Sequence, residues 1–72
     1  MTLDCKGLSC PMPMLKITKE MKELKTGEIL EVFGTDPGTK TDLPGWCTKT
    51  GNECLEITDI EGGVNRMLIK KA

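Results

Sequence analysis

Four cysteines, Cys5, Cys10, Cys47 and Cys54, are the side chains with the most chemistry to offer in this chain, and no histidine accompanies them. A Cys–His nucleophile pair and a Ser–His–Asp triad are therefore both impossible. A reactive cysteine here has to be activated by a helix terminus, a lysine or a residue of a partner. The spacings are Cys5-x4-Cys10 and Cys47-x6-Cys54. Neither is the tight C-x2-C pair of a structural zinc site, so no metal is expected. One cysteine has a distinctive setting, the run Cys10-Pro11-Met12-Pro13.

Proline suits the start of a helix, where its missing N–H would have had no partner. Pro11 also disfavours the helical region for Cys10, and Pro13 does the same for Met12. The run thus reads as a stiff turn with Cys10 at or just before a helix N-terminus. Backbone N–H groups and the positive dipole end favour an anion there. A thiolate is such an anion, and so is a persulfide. On the residues alone two readings stay level: Cys10 as a thiol of lowered pKa and raised reactivity, or Cys10 as a small buried hydrophobe in a turn shaped by prolines.

The elements that must position this turn follow from breaks at 7–13, 25–28, 36–39, 51–52 and 61–63. Thr2 to Lys6 reads as a first strand, with Leu3 and Cys5 facing inward and Asp4 away. Met14 to Leu24 reads as a helix, because Met14, Ile17, Met21 and Leu24 fall on one face. Lys16, Lys19, Glu20 and Glu23 are left to solvent, and Gly27 is a natural stop. Glu28 to Thr35 is a second strand, with Leu30 and Val32 on one side and Ile29, Glu31 and Phe33 on the other. Asp36-Pro37-Gly38 reads as a turn.

A second helix is expected from near Thr39 to Thr50, with Leu43, Trp46 and Cys47 on its apolar face. Pro44 predicts an irregular or delayed start. Cys47 reads as core and Trp46 as a core anchor, while Cys54 could face either way. Glu53 to Ile60 and Val64 to Lys70 form a hairpin through Glu61-Gly62-Gly63. Two helices cannot cover both faces of a four-stranded sheet in so short a chain. The expected fold is α+β: a two-layer α/β sandwich in β-α-β-α-β-β order, both helices on one face of a four-stranded mixed sheet.

The chain has 72 residues, the length of one small domain. Its core is thin, since a domain near this size buries only about 60% of its unfolded surface. Work at an exposed site completed by a partner suits that size better than an enclosed pocket. Ten basic and eleven acidic side chains give a net charge of −1, which offers no bulk attraction for nucleic acid. No stretch approaches the ~20 apolar residues of a membrane span. The N-terminus lacks a basic region followed by an apolar run, so a cytoplasmic protein with reduced thiols is expected.

The segment Leu3-Asp4-Cys5-Lys6-Gly7-Leu8-Ser9-Cys10-Pro11-Met12-Pro13 resembles the signature of the TusA/SirA-like sulfur-carrier family, in which a short strand is followed by Asp, Gly and Cys-Pro-x-Pro opening the first helix. The resemblance continues through Gly27 to Val32, Asp36-Pro37-Gly38, Asp42-Leu43-Pro44, Cys47 and Gly51, and so covers nearly the whole chain. Trp46 stands where a smaller aromatic is usual, Cys5 is absent from many relatives, and Asn52 replaces a frequent histidine. These departures bear on the branch of the family rather than on the motif.

The resemblance implies residues 1–72 as a single sulfur-carrier domain of two-layer sandwich fold. It implies Cys10 as the catalytic residue that becomes a persulfide, with Pro11, Pro13 and Gly7 as positioning residues and no cofactor. It implies a sulfur donor, such as a cysteine desulfurase or another sulfurtransferase, and a downstream acceptor protein in tRNA thiolation, cofactor synthesis or sulfur oxidation. The chain would act as a carrier rather than a complete enzyme. Met12, Lys16 and Lys19 are candidates for partner docking, the lysines by electrostatic steering, though a plainly solvated face explains them too. Two readings from other classes stand beside this one: a thiol–disulfide protein pairing Cys5 with Cys10, and a non-catalytic regulatory module with Cys10 structural.

Overall fold

The computed structural model describes residues 1–9 and 12–72. Its elements run β1 (Thr2–Cys5), α1 (Met12–Glu23), β2 (Ile29–Gly34), α2 (Pro37–Thr50), β3 (Glu53–Asp59), a 3-10 turn (Glu61–Gly63) and β4 (Asn65–Lys70). The expected order and the mixed sheet are both present. The strands lie in the order β1-β2-β4-β3. β1 runs parallel to β2, and β4 runs antiparallel to both β2 and β3.

One face of the sheet carries the core. Cys5, Leu30, Val32, Met67 and Ile69 point from it toward Ile17, Met21 and Leu24 on the α1 side and Leu43 and Cys47 of α2, and all of these are buried. α1 rests on β1 and β2, and α2 on β3 and β4. The other face holds an ionic row, in which Arg66 donates to Glu31 at 2.6 Å and to Glu56 at 2.8 Å. That row explains a glutamate in an otherwise apolar interior strand: Glu31 lies on the side no helix covers.

Both helices begin two residues earlier than their apolar spacing suggests. α1 starts at Met12, which places Pro13 in its first turn, where no N–H is missed. Pro13 is buried, and its restriction on Met12 is overridden by the hydrogen bond from the Met12 amide to the Ser9 carbonyl at 3.0 Å.

α2 starts at Pro37 because Asp36 caps it, accepting the Gly38 amide at 3.1 Å. The Asp-Pro-Gly turn is thus the helix start itself. The helix also passes through Pro44, so the expected delay does not occur. Pro44 removes one internal bond, but Leu43 and Cys47 stay buried around it, and the Thr48 hydroxyl donates to its carbonyl at 3.1 Å. Gly51 ends α2 in the left-handed conformation at φ 78.

β3 carries an irregularity. Cys54 faces Ile69 and Glu56 faces Leu68, leaving Leu55 as an extra residue between them. Such a bulge reverses the inward and outward alternation on either side of it.

Candidate functional site

The site expected from the sequence lies where β1 ends and α1 begins. Cys5 closes β1 opposite Gly34 at the end of β2, and five residues later the chain reaches Cys10. Cys10 and Pro11 lie outside the described residues, so the site is defined by what flanks them. On the upstream side the loop is held at three points. The Lys6 amide donates to Asp4 Oδ1 at 2.9 Å, the Gly7 amide to Thr35 Oγ1 at 2.9 Å, and the Leu8 amide to the Cys5 carbonyl at 3.2 Å. Gly7 sits at φ 81, a conformation that a side chain makes costly. It turns the chain and hands its N–H to the residue that follows β2.

On the downstream side α1 opens at Met12 with no acidic residue in its first turn. Nothing on the helix itself offsets the positive end of its dipole. Pro13 is buried and anchors the turn from below, while Met12 is 49% exposed above it. Lys16 and Lys19 are both exposed. The Lys16 charge reaches far enough back to act on the Cys5 thiol, where it opposes the upward push of burial.

Sequence reasoning passed over Leu15. It is 58% exposed, three residues after Met12, and so lies on the same outward side of α1. The signal was available: Leu15 falls outside the Met14, Ile17, Met21, Leu24 face, so a helix placed on that face must turn it to solvent. Thr35 was also passed over. A threonine just past a strand end carries no pattern of its own, and its role depends on a loop from another part of the chain.

The other cysteines are separated from this site by burial or by position. Cys5 is fully buried, as its alternation with Asp4 requires, and burial pushes its thiol pKa up. Cys47 is in the core as expected, and Cys54 is half-buried against it. Trp46 is only partly buried, packing one side on the core and lining a surface groove with Thr18, Asn52 and Lys71. Among the described residues no three His, Cys, Asp or Glu side chains converge as a metal site would require. No helix among them is long and apolar enough to cross a membrane.

The family model for the sulfurtransferase TusA matches residues 1–71. The chain belongs to the TusA sulfurtransferase family. It is 49% identical over 69 residues to YrkI of Bacillus subtilis (strain 168), covering 96% of this chain and 91% of that one. YrkF of the same organism is also 49% identical over 69 residues, and there the chain spans 37% of the relative's length. The sulfur carrier protein TusA of Allochromatium vinosum is 41% identical over 70 residues, with 97% and 91% of the two chains covered. A SirA-like protein from Desulfitobacterium hafniense has the same fold, with a TM-score of 0.85 over 96% of this chain and 93% of that one, at 24% identity. The chain thus shares its sequence with the TusA family over residues 1–71 and its fold with the SirA-like protein.

Proposed function

We propose that the protein is a sulfur carrier that holds a transferable sulfur atom as a persulfide on Cys10. The observation that carries this reading is the start of α1 at Met12, two residues after Cys10, with no acidic side chain in its first turn. In a TusA family chain that arrangement supports an anionic sulfur at the motif cysteine. In the loading step the Cys10 thiolate attacks the terminal sulfur of a donor persulfide. A new S–S bond forms on Cys10, the donor's S–S bond breaks, and the donor leaves as a thiol. In delivery, the terminal sulfur passes to the acceptor and Cys10 returns to its thiolate.

Donor and acceptor are proteins, because a domain this small has little room beside its core for an enclosed pocket and leaves the terminal sulfur to be enclosed by a partner. Met12 and Leu15 offer it apolar contact beside Lys16 and Lys19. A partner with an apolar patch rimmed by carboxylates fits that surface. Reduced thiols of this kind suit the cytoplasm.

Incubation with a persulfide donor, followed by mass spectrometry, tests the reading. One added sulfur atom mapping to Cys10, lost on reduction and absent in Cys10→Ser, is the expected result. A Cys10→Ser variant that still carries labelled sulfur to an acceptor would overturn it.

A further inference from the structure

Cys47 and Cys54 take no part in the sulfur site, yet the fold brings them together at the other end of the sheet. Cys54 pairs with Ile69, and Ile69 with Leu30. Leu30 is four residues along β2 from Gly34, the partner of Cys5, which separates the two ends by about 13 Å. Cys47 lies on the buried face of α2 in its last turn. Gly51 closes the helix, and Cys54 follows as the second residue of β3.

The bulge decides which way Cys54 faces. Counting back from Ile57, which packs on the core, simple alternation would turn Leu55 inward and Cys54 to the open face. With Leu55 as the extra residue, Leu55 is instead 40% exposed, and Cys54 shares the inward side of its partner Ile69. Cys54 therefore meets Cys47, and the two thiols share a hydrogen bond. The two cysteines sit on different elements, both on the inward side of the fold, and Gly51 turns the chain between them.

We propose that Cys47 and Cys54 form an oxidisable dithiol that a peroxide closes into a disulfide, fastening the end of α2 to the start of β3. Cys54 is the half-buried member and the one an oxidant reaches, whereas Cys47 is only 2% exposed. Burial raises both thiols, Cys47 to about 11, and the hydrogen bond between them works against that push at Cys54 and with it at Cys47, so Cys54 is the more readily deprotonated of the two.

In the first step the Cys54 sulfur attacks the O–O bond of hydrogen peroxide, giving a sulfenic acid and hydroxide, which takes up the thiol proton as water. In the second, the Cys47 sulfur attacks the Cys54 sulfur, its proton leaves with the sulfenic hydroxyl as a second water, and the S–S bond forms. Two thiols and one hydrogen peroxide yield one disulfide and two waters, with two electrons passing from sulfur to oxygen.

The test uses the full chain. The protein is treated with hydrogen peroxide, free thiols are alkylated, and trypsin is applied without reductant. Cleavage after Lys40, Lys49 and Arg66 separates Cys47, in residues 41–49, from Cys54, in residues 50–66. A linked 41–49/50–66 species that reduction resolves is expected, in wild type and in Cys10→Ser alike, so the outcome is independent of the sulfur-carrier reading. Recovery of the two peptides unlinked after complete oxidation of Cys10 in the wild type would overturn the proposal. Sulfenic acid trapping assigns the order of attack. Dimedone should label Cys54 in a Cys47→Ala variant at least tenfold more than Cys47 in a Cys54→Ala variant, with circular dichroism confirming both folds. Equal or reversed labelling would overturn Cys54 as the attacking sulfur.

Discussion

The Gly7 amide donates to the Thr35 hydroxyl at 2.9 Å, across 28 residues of sequence, and so ties the loop that leads to Cys10 to the end of β2. Cys5 and Gly34 are neighbours in the adjoining register of the parallel pair, so this bond continues the alignment of β1 with β2 past the last ladder position. The loop therefore approaches α1 from a fixed point.

Thr35→Val removes that acceptor while keeping the shape of the side chain. The loss of one hydrogen bond at an exposed loop is expected to cost about 1 kcal/mol. In a domain this small that lowers the melting temperature by roughly 4–8 °C. Sulfur loading of Cys10 should slow by more than the fall in folded fraction explains. Thermal melts and loading time courses on one preparation check both effects.

Gly7→Ala keeps the hydrogen bond in principle but forces an alanine to φ 81. A left-handed residue with a Cβ costs roughly 1–2 kcal/mol. No atom outside the adjacent residues lies within 4 Å of the added Cβ, so the penalty is conformational rather than a clash. Denaturant unfolding should show an unchanged slope and a lower midpoint.

Cys5→Ala tests the separation of core from chemistry. It removes a fully buried thiol and is expected to destabilise the fold by about 1 kcal/mol. Sulfur loading of the folded protein should stay near the wild-type level. Loss of loading in folded Cys5→Ala would bring the Cys5–Cys10 pair back into the mechanism.

Glu31 and Cys47 set opposite pH limits. The Arg66 hydrogen bond lowers the Glu31 pKa below its ordinary value, so the unfolded chain takes up that proton first. Its contribution is complete above about pH 4.3 and is lost as pH falls through the folded value. Glu31→Gln should flatten the acid limb of a stability profile.

Burial pushes the Cys47 thiol from 9.0 to about 11, so here the folded chain holds the proton longer. Its contribution is complete below about pH 9 and is lost as pH rises toward 11. Cys47→Ala should flatten the alkaline limb and leave the acid limb unchanged. Melting temperatures measured across both ranges in the two variants decide the assignment.

The element order, the two-layer form and the inward set on β1, β2 and α1 were legible in the sequence, because period and burial agree there. Leu30 and Val32 alternate against Glu31, and Ile17 and Met21 repeat at helical spacing. α2 was harder to bound. Its buried residues, Thr39, Leu43 and Cys47, include a threonine that apolar spacing does not count, and its start is fixed by the Asp36 cap and Pro37. The direction of Cys54 was not legible at all. A one-residue bulge reverses facing without leaving a signature in composition. At the site, the motif and Gly7 could be read locally, whereas Thr35 acquires its role only when the parallel pairing brings it to the loop.

The Leu55 bulge lies on β3, an outermost strand of the sheet. A regular strand in that place would offer its unpaired backbone groups as a template for the same strand of another molecule. With one residue out of step, and with the charged side chains of Glu53, Glu56 and Asp59 along its length, β3 presents a broken and polar margin. Edge-to-edge growth of sheets between copies is thereby disfavoured on this side, and crowded copies of the protein are kept from templating one another.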